Sequence, residues 1–244
     1  MGLVLPKRGL RIAILTGAGI SAASGLPTFR EPGKGLWAKY DPYKLATPQA
    51  FHARPDDVHE FYNMRRRLLH EVHPNAAHLA LANLEKHLAA NGGNLTIITQ
   101  NVDDLHERGG STNVLHIHGE LLKAKCRSCE GVVRWDSDLS RSDRCPRCDV
   151  AESLRPHVVW FGEMPFFMDE AKDIVAQSDL FVAIGTSGSV YPAAGLVAWA
   201  SGHSVRTCEI NLDPSENRHQ FDDGHYGPAE EIVPRWAASL IYDE

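Results

Sequence analysis

The chain has 244 residues, 43% of them apolar, with 25 Lys and Arg against 31 Asp and Glu and a formal net charge of −6. That length allows one domain, or one domain carrying a sub-domain, with a core large enough to need no disulfide staples. The acidic balance argues against a specific nucleic-acid partner, which needs surplus cations for phosphates, and no apolar stretch approaches the ~18 residues of a membrane span.

Arg11 to Thr16 reads as a buried strand entering the turn Gly17-Ala18-Gly19. Residues 20–55 are rich in Gly and Pro with Phe29, Trp37 and Tyr40 between them, and a loop of that length inside a compact protein is usually functional. Residues 56–70 and 75–90 predict helices, the second with Asn75 as N-cap and Gly92-Gly93 as stop. Strands follow at Leu95 to Thr99 and Val114 to Ile117, a helix at 167–177, a strand at Leu180 to Ile184, a helix at Pro192 to Ala200, a strand at Thr207 to Asn211 and a helix at Ala229 to Ile241. Short β-branched strands alternating with helices predict an α/β domain on a parallel sheet. Residues 120–157 break the alternation, being polar and Cys-rich, and read as an inserted module; residues 1–15 show no signal-peptide pattern, so a cytoplasmic protein is expected, with no membrane partner.

Four of the five cysteines fall as Cys126-x-x-Cys129 and Cys145-x-x-Cys148 with fifteen residues between the pairs, the spacing of a closed tetrahedral zinc site. Zinc there supplies the folding free energy that a polar segment lacks. Residues 123–157 hold eight Lys and Arg against six Asp and Glu, too small a surplus to favour nucleic acid. Cys208 reads as a buried small hydrophobe. The turn Gly17 to Ser21 suits a pyrophosphate at a helix start, although by itself it also suits an ordinary strand-to-helix turn, and no second strand ending in an acidic residue follows about twenty positions later. Polar residues gather at strand ends: Gln100-Asn101-Val102-Asp103, His116-Ile117-His118-Gly119-Glu120 and Gly185-Thr186-Ser187. Strand ends are where open α/β sheets bind ligands, and His118 is the candidate general base.

Taken in order, Gly17-Ala18-Gly19-Ile20-Ser21, Gly25-Leu26-Pro27-Thr28-Phe29-Arg30, Thr99-Gln100-Asn101-Val102-Asp103, His116-Ile117-His118-Gly119-Glu120, the two Cys pairs, Val159-Trp160-Phe161-Gly162-Glu163 and Gly185-Thr186-Ser187 resemble the sirtuins, NAD-dependent protein lysine deacylases, over about residues 10–240. The resemblance implies a Rossmann-like parallel-sheet domain (1–30, 75–119 and 158–244), a cofactor-binding loop and helical insertion (31–74) and a zinc-ribbon module (120–157), the last two forming a smaller domain. NAD would be a cosubstrate, held by Gly17, Ala18, Gly19, Ile20, Ser21, Phe29 and Arg30 at the phosphates and nicotinamide ribose. Gln100, Asn101 and Asp103 would serve the nicotinamide end, Gly185, Thr186, Ser187 and Asn211 the phosphates and adenosine ribose, and Ala229 the adenine. The acylated lysine of a partner protein would lie between Phe161-Gly162-Glu163 and Gly188-Ser189-Val190 as an added strand, with Phe29, Val159 and Phe161 lining a dry tunnel.

In the chemistry so implied, the acyl oxygen attacks C1′ of the nicotinamide ribose, expelling nicotinamide and forming an alkylimidate. His118 then deprotonates the ribose hydroxyls so that the 2′-oxygen attacks the imidate, and hydrolysis leaves 2′-O-acyl-ADP-ribose and free lysine. Tyr62 and Arg65, at i and i+3 on a predicted helix, share a face; with a small residue at Ala46 they resemble the members that remove succinyl and malonyl groups, the guanidinium pairing with the distal carboxylate. The plainer reading of Arg65-Arg66-Arg67 is a solvated basic helix face. Acetyl removal is expected as well, by a monomer. The alternatives are an ADP-ribosyltransferase on the same fold and a zinc-ribbon module that senses NAD without catalysis.

Overall fold

The computed structural model describes residues 8–29, 33 and 35–242. β1 (Arg11–Thr16) is buried on both faces and sorts its side chains by parity, Ile12 and Ile14 entering one apolar cluster and Ala13 and Leu15 another. A 3₁₀ helix, Ala18–Ser24, follows. Residues 36–71 form four helices: α1 (Leu36–Lys39), α2 (Pro42–Leu45), α3 (Pro48–Ala53) and α4 (Pro55–Glu71). The expectation of a long loop over 20–55 is therefore corrected. Asp41 and Thr47 cap the backbone N–H groups of Tyr43 and Ala50, with Pro42 and Pro48 at the first helical positions, so the prolines start helices there.

α5 (Ala76–Ala90) begins at Asn75, whose side chain accepts from Ala77 N while its own backbone N–H reaches His78 Nδ1. Then come β2 (Asn94–Thr99), α6 (Leu105–Arg108), β3 (Val114–His116), β4 (Gly119–Cys126), β5 (Val132–Arg134) and β6 (Leu154–Val158). The chain closes with α7 (Met168–Ala176), β7 (Leu180–Ile184), α8 (Leu196–Gly202), β8 (Arg206–Asn211), β9 (Asp223–Tyr226) and α9 (Ala229–Tyr242). The helix expected from Pro192 starts late, because Ala193–Gly195 form a 3₁₀ turn before α8. β9, with the polar sequence Asp-Gly-His-Tyr, carried no apolar signal.

Six strands make a parallel sheet in the order β3-β2-β1-β7-β8-β9. α5 and α9 pack together on one face, around Ile12, Ile14, Leu84, Leu95, Val182 and Trp236, and α7 and α8 cover the other around Ala13, Leu15, Phe181 and Val197. The order reverses at β1, between β2 and β7, so the loops after those strands diverge and open a crevice at their carboxyl ends. A second, antiparallel sheet, β5-β4-β6, leads into the cysteine module. That module's core is small, with Ala124, Cys126, Leu139, Cys145 and Leu154. A third large cluster joins α1–α4 to Leu121, Val158 and Trp160, so the helices rest on the base of the small sheet. Among the described residues no helix is long and apolar enough to cross a membrane.

Candidate active site

The crevice is a cavity of about 850 Å³, within the range of small-molecule sites. Its floor is built from glycine. Gly17 N donates to Ile184 O at 3.0 Å, Gly19 N to Gly185 O at 3.0 Å and Gly185 N to Ile210 O at 3.0 Å, so the turns after β1 and β7 lie backbone against backbone. A Cβ on Gly17 or Gly19 would meet Gly185 atoms at 2.7 Å, and one on Gly185, whose φ is +63°, would meet Ile20 N at 2.5 Å. Thr186, Ser187, Asn211 and Ala229 line the adjoining wall, where Asn211 Nδ2 donates to Thr186 O at 2.7 Å.

Gln100, Asn101 and His118 face the other end. Gln100 N donates to Thr16 O at 2.9 Å, and its carbonyl accepts from His118 Nδ1 at 3.1 Å. A carbonyl only accepts, so Nδ1 carries the proton and Nε2 is the basic nitrogen of the neutral ring. Asn101 is buried, and its amide donates to Gly17 O and Ser21 Oγ, each at 3.2 Å. Ser21 in turn donates to Asp103 Oδ2 at 3.2 Å. Burial pushes the Asp103 carboxyl up to about 6, against hydrogen bonds from Leu105 N and Ser21 that favour the anion. Ser21 and Asp103 thus stand behind the cavity wall and brace Asn101, while Ile20 lies fully in the core; these three do not line the cavity. Arg30 lies outside the described residues.

The mouth beneath the helices is aromatic. Ala46, Tyr62, Arg65, Phe29, Trp37, Val159, Trp160 and Phe161 line it. The Arg65 guanidinium sits 5.2 Å from the Phe29 ring, 5.7 Å from Phe61 and 5.4 Å from Tyr62, with no hydrogen bond or ion pair to it among the described residues. Burial lowers its pKa, opposed by Tyr62 and Asp103, and a guanidinium keeps its charge regardless. Trp160 Nε1 donates to Tyr62 Oη at 3.0 Å, and burial raises the phenol pKa, keeping it protonated. Phe161 N donates to Ala46 O at 2.9 Å, tying the loop after β6 to residue 46, and Val159 N donates to His118 O at 2.9 Å.

Glu163 lines the cavity, but its carboxylate is already shared with Arg155 at 2.6 and 3.0 Å and with Trp160 N at 2.8 Å. Gly162 and Val190 also line it. Gly188 and Ser189 do not: Gly188 at φ +72° abuts Asn217, and Ser189 Oγ pairs with Ser187 Oγ at 2.9 Å. Residues that the sequence reading did not single out complete the walls, among them Trp37, Tyr191, Asp213, Glu216 and Glu230. Trp37 offered a signal, an aromatic in a Gly- and Pro-rich stretch. The 213–216 segment offered none, since it joins through the loop after β8.

Apart from the cavity, the four sulfurs of Cys126, Cys129, Cys145 and Cys148 lie within 4.8 Å of one another. Cys126 to Cys148 is 3.7 Å and Cys129 to Cys145 3.8 Å. Four bonds of ~2.3 Å to a tetrahedral zinc place sulfurs ~3.8 Å apart, so the set fits that ion. Backbone N–H groups of Ser128 and Cys129 point at Cys126 Sγ, and that of Arg147 at Cys145 Sγ, as thiolates require. Cys208 is buried in β8 and plays no part.

Residues 17–192 match the Sir2 family. An NAD-dependent protein deacylase of Caulobacter vibrioides is 52% identical over 232 residues, covering 95% of this chain and 97% of its own. The crystal structure of a Sir2 homologue–NAD complex superposes with a TM-score of 0.84 at 39% identity over 94% of this chain and 89% of the other. A Sir2–p53 peptide–NAD⁺ structure superposes at 0.80, with 28% identity over 95% and 93% of the two chains. On the family match over residues 17–192 and on relatives about half identical over nearly the whole chain, the chain belongs to the Sir2 family.

Proposed function

We propose that the chain is an NAD-dependent protein lysine deacylase that removes succinyl and malonyl groups as well as acetyl. The observation that carries the acyl preference is Arg65, a guanidinium with no hydrogen bond or ion pair among the described residues, in an aromatic setting and lining the same cavity as His118, Tyr62 and Ala46. A charge held there with no anion beside it among the described residues is suited to a carboxylate brought by the ligand.

The deacylase activity itself is that of the relatives: proteins about 50% identical over nearly the whole chain carry that name, which does not favour ADP-ribosyl transfer. The cavity fits NAD in volume and in its backbone-lined glycine turns, which accept close approach by phosphates. NAD supplies the ribose carbon that takes the acyl oxygen and the hydroxyls that finally carry the acyl group. The chain's own residues do the rest. His118, its Nδ1 proton held on Gln100 O, keeps Nε2 as the base toward a hydroxyl. Asn101, braced by Ser21 and Asp103, fixes the inner wall, and Ser187, Thr186 and Asn211 serve the far end. Phe29, Val159 and Phe161 exclude water from the reacting centre.

The peptide of an acylated partner would enter between the 161–163 and 188–190 segments, as an added strand. The smaller unit, the zinc ribbon with α1–α4, supplies the acyl-reading wall, and the ribbon's cysteines, none of them in a disulfide, suit zinc ligation in a reducing, cytoplasmic setting. The test is mass spectrometry of acetyl- and succinyl-lysine peptides with and without NAD. Wild type should remove both acyl groups only with NAD, and His118→Ala should remove neither.

A further inference from the structure

Two consecutive carbonyls at the end of β2 are held by two histidines flanking the β3–β4 turn. His118 Nδ1 reaches Gln100 O at 3.1 Å, and His116 Nδ1 reaches Asn101 O at 3.3 Å. The second ring nitrogen of His116 faces Glu107 Oε1 at 2.6 Å. A carbonyl and a carboxylate both accept, so His116 donates from both nitrogens and is an imidazolium. Its side chain is 9% exposed, whereas Glu107, on α6, reaches in from the surface at 41%. Burial alone would drive the ring neutral. Glu107 and Glu120 reverse that and raise its pKa, while Asp103 and His106 are the other titratable groups that face it.

We propose that Glu107 and His116 are positioning residues for NAD binding. The ion pair holds the Asn101 carbonyl from behind, so that the Gln100–Asn101 wall stands correctly against the ligand. A neutral ring donates once, so it satisfies either Asn101 O or Glu107, never both. The inference rests on the deacylase reading in that Gln100 and Asn101 contact NAD.

The test joins three measurements on wild type, Glu107→Gln and His116→Ala: ¹⁵N shifts of the His116 ring, NAD affinity by calorimetry, and separate KM values for NAD and acyl-peptide. Wild type should show both ring nitrogens protonated at pH 7.5, and Glu107→Gln a neutral ring. NAD binding should weaken about tenfold in both variants, the scale of a lost charge-assisted hydrogen bond, with the peptide KM within about twofold. A neutral His116 in wild type, unchanged NAD affinity in both variants, or equal worsening of the NAD and peptide constants would each overturn the proposal. Wild type that binds NAD but removes no acyl group would overturn the deacylase reading instead, and calorimetry would still decide the role of the pair.

Discussion

The indole N–H of Trp160 donates to the Tyr62 hydroxyl at 3.0 Å, with both side chains buried. Its acceptor site thus occupied, the hydroxyl keeps its own proton to give, and burial holds that proton in place. Tyr62→Phe removes this donor and strands the indole N–H. The KM for succinyl-lysine peptide should rise about tenfold and that for acetyl peptide little, with a stability loss of about 1–2 kcal/mol in urea melts. Equal effects on the two peptides would show that the hydroxyl does not address the distal carboxylate.

Arg65→Met should cost more in succinyl removal than Tyr62→Phe, because it removes the charge itself. A charge-assisted pair contributes about 1.5–3 kcal/mol, so kcat/KM for succinyl peptide should fall about 10- to 100-fold while acetyl removal stays within a few-fold. Competition kinetics with the two peptides in one tube reads the ratio directly. If both fall together, Arg65 serves the fold and not selectivity.

Gly185 takes φ +63° with Ile20 N only 2.5 Å from where a Cβ would sit. Gly185→Ala therefore pays about 1–2 kcal/mol for the left-handed backbone and also pushes apart the turns after β1 and β7. Calorimetric melting should fall by about 4 °C or more, and NAD binding should weaken at the same time. A variant with wild-type Tm and affinity would show that the close approach of the two turns is not needed.

His59 is buried against Phe51 with no hydrogen-bond partner for Nδ1 among the described residues, and burial pushes its pKa down to about 4 from 6.5. The native ring resists a proton that the unfolded ring accepts, so its contribution is complete above pH 6.5 and is lost as pH falls toward 4. At pH 5 the loss is about 2 kcal/mol. His59→Phe should remove that share, giving a melting temperature that changes less between pH 7 and pH 5 than in wild type. An identical pH dependence in the two proteins would place the sensitive group elsewhere.

Asn63 accepts from Leu139 N at 2.8 Å and donates to Leu139 O at 3.0 Å, stitching the cysteine module to α4 two residues before Arg65. Zinc removal by chelator, or Cys126→Ser with Cys145→Ser, should unfold the ribbon. Hydrogen exchange should then accelerate first across 124–155 and next at α4, and metal analysis should find one zinc per chain in the intact protein. Unchanged exchange in a metal-free, folded chain would remove zinc's structural role.

Much of this was legible in the sequence because each signal was local. The apolar runs at 11–16, 95–99 and 180–184 and the glycine turn after the first of them required no tertiary context, and the paired cysteines fixed their own geometry. Residues 36–53 were misread because proline is a loop signal by composition but a helix start when a capping Asp41 or Thr47 precedes it. β9 was missed because an edge strand with polar Asp223, His225 and Tyr226 buries too little to show alternation. The placement of Ser21 and Asp103 behind Asn101, and of Asp213 and Glu216 in the wall, depends on how distant turns meet, which spacing along the chain does not encode.

NAD-dependent deacylation is tested most directly by counting products in a single reaction of the wild-type protein with succinyl-lysine peptide and NAD. One nicotinamide and one acyl-ADP-ribose should form for each lysine unmasked, with none of the three in His118→Ala. Lysine release without NAD, or ADP-ribose attached to protein in place of acyl-ADP-ribose, would contradict it.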